Sequence, residues 1–215
     1  MNFTRARERM VEEQLVNRGI TDVRVLAAVA KVERHRFVEE ALRTRAYEDK
    51  PLPIGERQTI SQPYMVGLMT ETLELRGGER VLEVGTGCGY QTAVLAELAG
   101  TVFTIERIAA LAAAARMRLE AAGYTNVATR VGDGSLGWSE AAPFDAVIVT
   151  AGTPQVPRPL VAQLATGGRL VFPIGEDELQ TLVRIRKDEA GLREEYFGDC
   201  RFVKLVGRYG WRREE

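Results

Sequence analysis

Histidine occurs once, at position 35, and cysteine twice, at 88 and 200, in a chain of 215 residues. That scarcity excludes a zinc centre of Cys and His ligands, and two cysteines without CxxC spacing make no disulfide framework. It leaves imidazole base catalysis a single candidate, His35, whose setting Glu33-Arg34-His35-Arg36-Phe37 reads as a charged helix-to-loop edge with a structural or surface role. Lysine is scarce too, 4 against 25 arginines, but the arginines are spread along the chain rather than gathered into a recognition patch. An excess of one sign of charge is missing: 29 basic and 30 acidic side chains give a net −1, so nothing steers the protein towards nucleic acid or an acidic membrane. No stretch approaches the ~18 apolar residues that span a bilayer. The charged opening Met1-Asn2-Phe3-Thr4-Arg5-Ala6-Arg7-Glu8-Arg9 lacks the apolar centre of a secretory signal, so a cytoplasmic location is expected.

With 45% hydrophobic and 27% charged residues the chain can bury a core and stay dissolved, and its length fits one domain. Apolar positions at helical spacing predict a helix over residues 4–18, ended by Gly19, and a second opened by Asp22. Residues 36–58 lose periodicity, and Pro51-Leu52-Pro53-Ile54-Gly55 is built for a rigid turn. Ser61, just ahead of Pro63, is placed to cap a third helix. From Arg80 onward, strands over 81–84, 101–105, 127–131, 144–149 and 169–173 alternate with helices over 90–98, 108–122 and 157–164. Short apolar strands alternating with helices predict an α/β fold, a doubly wound parallel sheet covered on both faces. Segments 180–186, 192–197 and 202–206 are β-rich without clear helices between them, so the sheet is expected to finish antiparallel. This divides one domain into a helical cap with a substrate loop (1–77), a cofactor-binding core (78–175) and a β extension (176–215).

The first core strand runs into Glu83-Val84-Gly85-Thr86-Gly87-Cys88-Gly89-Tyr90, glycines at alternate positions between a strand and a helix. Such a loop turns sharply and lets a ligand approach the backbone. Tyr90 stands where the dinucleotide fingerprint has its third glycine, which weakens NAD binding, and no lysine follows the glycines as a phosphate cradle requires. Glu106 ends the second strand 21 positions after Gly85, where a carboxylate can accept from both ribose hydroxyls. Asp133, in Gly132-Asp133-Gly134 after the third strand, could accept from an adenine amino group. All three features fall at the carboxyl ends of parallel strands, where open α/β sheets bind ligands. Cys88, inside the loop, reads as a small apolar filler.

These residues resemble the protein-L-isoaspartate O-methyltransferase family in its bacterial form. The resemblance rests on Glu33-Arg34-His35-Arg36-Phe37-Val38, Tyr47-Glu48-Asp49-Lys50-Pro51-Leu52-Pro53-Ile54-Gly55, Gln58-Thr59-Ile60-Ser61-Gln62-Pro63-Tyr64, the Gly85 loop, Ile105-Glu106-Arg107 and Gly132-Asp133-Gly134-Ser135-Leu136-Gly137-Trp138, and covers nearly the whole chain. It implies a mostly parallel seven-stranded Rossmann-like sheet of the class I S-adenosylmethionine methyltransferase type. It implies S-adenosylmethionine as cofactor, leaving as S-adenosylhomocysteine, with Glu83, Gly85, Thr86, Gly87, Gly89, Glu106, Arg107, Asp133 and Gly134 around it. Isoaspartyl-containing proteins and peptides would be the partners of a monomer, with Ser61 touching the substrate carboxylate and Thr59, Ile60 and Arg208 beside it. Arg57 stands where the family often carries a second glycine. The glycine loop and Glu106 alone would equally suit a methyltransferase of small molecules or RNA, or a binding module that kept the fold; the segment 59–63 is the specific part.

Overall fold

Asn2 accepts a hydrogen bond from the Arg5 amide at 3.1 Å and so starts helix α1 (Phe3–Met10). In the computed structural model, which describes residues 2–212, the helical path then widens over Val11–Leu15, tightens over Val16–Arg18 and ends at Gly19 with φ 92°. Asp22 caps α2 (Val23–Lys31), accepting from the Arg24 amide at 2.9 Å. Short 3-10 helical segments follow over Arg34–Arg36 and Glu40–Arg45, and then β1 (Leu52–Pro53) and β2 (Thr59–Ile60) pair antiparallel in a minimal hairpin. Strands of two residues carry no alternation, which is why the expected loop hid them. The hairpin turn holds Gly55, Glu56 and Arg57 at φ 88°, 50° and 56°.

Helix α3 (Pro63–Thr72) begins at Pro63 as expected, but the expected Ser61 cap is corrected: Gln62 holds the cap position and makes no side-chain cap bond. Ser61 sits one residue too early to reach the first free amides, and its hydroxyl makes no hydrogen bond to any described residue.

The core is β3 (Arg80–Val84), α4 (Tyr90–Ala96), β4 (Thr101–Glu106), α5 (Ala109–Ala121), β5 (Val127–Val131), β6 (Phe144–Val149), α6 (Arg158–Ala162), β7 (Leu164–Gly175), β8 (Gln180–Asp188) and β9 (Gly191–Cys200). Their spatial order is β5-β4-β3-β6-β7-β8-β9, seven strands, parallel through β7 and antiparallel for the last two pairs. Alternate residues serve opposite faces: Val81, Val102, Ala146 and Ile148 pack with Met69 and Leu95 of α3 and α4, while Leu82, Val84, Val147 and Val149 pack with Leu160 of α6. The helix expected over 157–164 is shorter because Leu164 already belongs to β7. Segment 202–206 joins no sheet; isolated bridges, Gly152 with Lys204 and Val206 with Trp211, are its β-type pairings. Phe202 donates its amide to the Gln180 side chain at 2.7 Å, and the chain leaves the sheet there to cross the carboxyl ends of the strands. No helix among the described residues is long and apolar enough to cross a membrane.

Candidate active site

The chain enters the sheet at β3, winds outward to β5 and returns on the other side of β3 as β6, so β3 and β6 are the neighbours from which it departs in opposite directions. Val84 lies opposite Val149, and the next residues, Gly85 and Thr150, open the crevice. Thr150 Oγ1 donates to the Gly85 carbonyl at 2.7 Å, and a Cβ on Gly85, whose φ is 101°, would stand 2.3 Å from that oxygen. Only glycine fits there. The Gly87 amide donates to Glu106 Oε2 and the Ile108 amide to Oε1, both at 2.9 Å. Two backbone donors therefore fix a carboxylate that is 7% exposed, and its remaining lone pairs are available to a ligand.

Three connected chambers follow. One of about 70 Å³ is lined by Gly85, Gly87, Glu106, Arg107, Gly134 and apolar walls that include Ile105, Ile108, Leu205 and Val206. A second, of about 40 Å³, reaches Ile60, Ser61 and Thr86. The third is a groove of about 550 Å³ bordered by Arg18, Ser61, Tyr64, Met65, Arg201 and Phe202. Thr59 and Thr150 border all three, so the glycine loop and the groove form one continuous cleft with Ser61 where they meet. The donor end suits a nucleoside: a fixed carboxylate for vicinal hydroxyls, aliphatic walls for a base and an open glycine face. These residues fit S-adenosylmethionine.

The structure gathers Thr59, Ile60, Ser61, Gly85, Thr86, Gly87, Glu106, Arg107 and Gly134 in this cleft. Gly89 lies behind it at the head of α4, where Ala115 and Leu119 of α5 leave a Cβ only 3.3–3.4 Å. Glu83 is fully buried behind the loop, accepting from Thr92 and Thr104 hydroxyls at 2.5 and 2.7 Å, and burial pushes its carboxyl up to about 8. Asp133 lies outside the lining: Oδ1 accepts from the Ser135 amide and hydroxyl, and Oδ2 from the Arg208 amide at 2.7 Å. The Arg208 side chain is exposed outside the groove, which Arg201 borders instead. Cys88 is buried and its thiol is pushed up by that burial. His35 stacks on Phe3 at 4.0 Å and bonds the Tyr47 hydroxyl, a packing role.

Thr150, Arg201 and Arg34 escaped the sequence reading. Thr150 had a signal, being the first residue after the strand beside β3. Arg34, read as part of a charged edge, is fully buried, and no local pattern marks that. A separate cavity of about 480 Å³ between the cap and α4–α5 is bordered by Arg7, Lys31 and Arg36, each facing Glu33 or Glu97.

Comparison with known proteins agrees along the whole chain. The family model described as protein-L-isoaspartate(D-aspartate) O-methyltransferase (PCMT) matches residues 5–210. A protein-L-isoaspartate O-methyltransferase of Geobacter metallireducens is 60% identical, covering 100% of both chains, and one of Syntrophobacter fumaroxidans is 58% identical over 98% of this chain and 99% of its own. A solved protein-L-isoaspartate O-methyltransferase superposes with TM-score 0.85 at 30% identity, covering 95% of this chain and 67% of that one. A Plasmodium falciparum protein assigned to the same activity, solved in complex with S-adenosyl-L-homocysteine, gives TM-score 0.81 at 28% identity over 93% and 98%. The chain belongs to the protein-L-isoaspartate(D-aspartate) O-methyltransferase family.

Proposed function

We propose that this enzyme methylates the free α-carboxylate of L-isoaspartyl residues in damaged proteins and peptides, with Ser61 orienting the acceptor and Glu106 holding the donor. The observation that carries the reading is the Ser61 hydroxyl, without a hydrogen-bond partner among the described residues and bordering both the broad groove and the chamber under the glycine loop.

When bound, S-adenosylmethionine supplies an electrophilic methyl group on a sulfonium centre. Glu106, held by the Gly87 and Ile108 amides, would accept from the ribose hydroxyls. Gly85 and Gly87 let the ligand lie against the backbone, and Gly134 leaves room beside Val84. An acceptor carboxylate, with a pKa of about 3.5, is ionised at neutral pH and needs no general base. That agrees with a site whose lining contains no histidine. The work left to the protein is alignment and exclusion of water, which can supply roughly 7–11 kcal/mol. Ser61 donates to one carboxylate oxygen and leaves the other facing the donor, while Thr59 and Ile60 hold the peptide side of the junction.

An isoaspartyl linkage runs the chain through the side-chain carbonyl and leaves the α-carboxylate free, so the groove must follow backbone on both sides of the residue. At 550 Å³ it can hold several extended residues. The amide nitrogen of the isoaspartyl linkage then attacks the ester carbonyl and expels methanol to close a succinimide, whose hydrolysis by water gives partly normal aspartate, and the outcome is repair. The monomeric state, the cytoplasmic location and the lack of nucleic-acid partners read from the sequence form part of this proposal; sedimentation of the purified chain checks the first. The test of function uses methyl-labelled S-adenosylmethionine and two peptides differing only in an isoaspartyl or aspartyl linkage. Base-labile label in the isoaspartyl peptide alone supports the reading, and label in neither overturns it.

A further inference from the structure

Arg34 is fully buried, yet among the described residues no carboxylate pairs with it. Its Nε donates to the Ala46 carbonyl and its Nη2 to the Ser61 carbonyl, each at 2.7 Å, and its guanidinium lies 4.8 Å from the centre of the Tyr90 ring. Burying a cation without a counter-charge is expensive, and a hydrophobic residue could fill the same volume more cheaply. What the guanidinium provides that an apolar side chain cannot is a rigid planar fork with donors on two edges and a face that stacks on an aromatic ring.

The three anchors belong to three different parts of the molecule. Ala46 is in the amino-terminal cap, Ser61 is in the segment that borders the groove, and Tyr90 is the first residue of α4, directly after the glycine loop. One side chain therefore ties the main chain of Ser61 to the loop under which the donor lies. Ser61 keeps its carbonyl bound and, among the described residues, its hydroxyl free, a division of labour that fixes where the hydroxyl stands without using it.

We propose that Arg34 is the positioning residue of the acceptor site: it sets the distance between the Ser61 hydroxyl and the glycine loop, and so the alignment of carboxylate and methyl group. This rests on the reading of Ser61 as the group that orients the acceptor. A misplacement of about 1 Å can cost about 10²-fold in rate, so losing the strut should act on turnover far more than on the cofactor, whose contacts, Glu106 at the end of β4 and the glycines after β3, are held together by the Gly87 and Ile108 amides.

Two variants test it. Arg34→Met keeps an apolar stem and loses both hydrogen bonds; Arg34→Lys keeps the charge but has no planar fork to serve both carbonyls. For each, kcat and KM with an isoaspartyl peptide are measured beside the dissociation constant for S-adenosylhomocysteine and amide hydrogen exchange over residues 58–62. Arg34→Met is expected to lose about 10- to 100-fold in kcat/KM, with Arg34→Lys between it and the parent. S-adenosylhomocysteine affinity should stay within about threefold, and exchange should quicken over 58–62 but not over 102–106. Turnover within twofold of the parent in both variants overturns the proposal. So does a parallel loss of turnover and cofactor affinity, which marks a general structural role. Should Arg34→Met fail to fold, Arg34→Lys decides by the same readings. If the parent itself esterifies no isoaspartyl peptide, the functional assignment fails separately, and the exchange of residues 58–62 alone judges the strut.

Discussion

Ser61 and Glu83 show how the same few atoms serve different ends according to burial. In the function proposed above the Ser61 hydroxyl orients an acceptor that is already ionised, so Ser61→Ala should lower kcat/KM by about 10-fold, less than the ~10²–10⁴-fold carried by an obligatory base. S-adenosylhomocysteine affinity should be unchanged, and the comparison of the two constants checks it. Glu83 makes the stability of the fold depend on pH. Its carboxyl titrates near 4.5 in an unfolded chain and at about 8 in the folded one, so between those values the native state holds a proton that the unfolded state releases. The stability it contributes is complete below pH 4.5 and is lost as pH rises to about 8. Urea midpoints at pH 5, 7 and 9 should therefore fall for the parent chain and fall less for Glu83→Gln, which stays neutral throughout. Equal slopes for the two proteins would remove Glu83 from the account.

The hairpin of β1 and β2 carries its strain in the turn. Glu56 and Arg57 occupy the left-handed region at φ 50° and 56°, which costs a residue with a Cβ about 1–2 kcal/mol. Arg57→Gly removes that cost but gains freedom in the unfolded chain, so it should exceed Arg57→Ala in stability by up to about 1 kcal/mol, read from thermal unfolding of the pair. Legibility in the sequence followed the range of the interactions. The glycine loop, Glu106 and the alternation of strands and helices were readable because each depends on neighbours within a turn or a strand. Arg34 was not, since its partners lie 12 and 27 residues away and only tertiary packing makes it a buried strut. Ser61 borders the cleft, but the cap expected of it is absent, because the helix starts at Pro63, a residue later than a Ser61 cap allows. That Arg201 rather than Arg208 borders the groove was not legible, because the path of the chain after β9 depends on where that strand ends, and a β-rich composition does not say whether a segment joins a sheet or crosses it.

The donor chamber lies between two straps, residues 58–59 from the cap and 203–206 from the segment after β9, and at about 70 Å³ it is well below the ~300–1,000 Å³ of a small-molecule site. A nucleoside that seats against Glu106 is expected to part them. The carboxyl-terminal strap is held by the Gly152 amide donating to Val203, the Leu205 amide to Gly152, the Arg208 amide to Asp133 and the Trp211 indole to the Gly152 carbonyl at 3.1 Å. Titration with S-adenosylhomocysteine should give a saturable change in Trp211 emission that survives Trp138→Phe and disappears in Trp211→Phe. A silent Trp211 would mean that the nucleoside enters without moving this strap. The same arrangement has a consequence for biosynthesis. The groove is walled by residues 51–65 on one side and 199–203 on the other, so its halves leave the ribosome more than a hundred residues apart. A nascent chain can assemble β3 to β6 and the glycine loop while translation continues, but it gains a substrate groove only once the strap has emerged and folded back, and until then it cannot modify other unfinished chains.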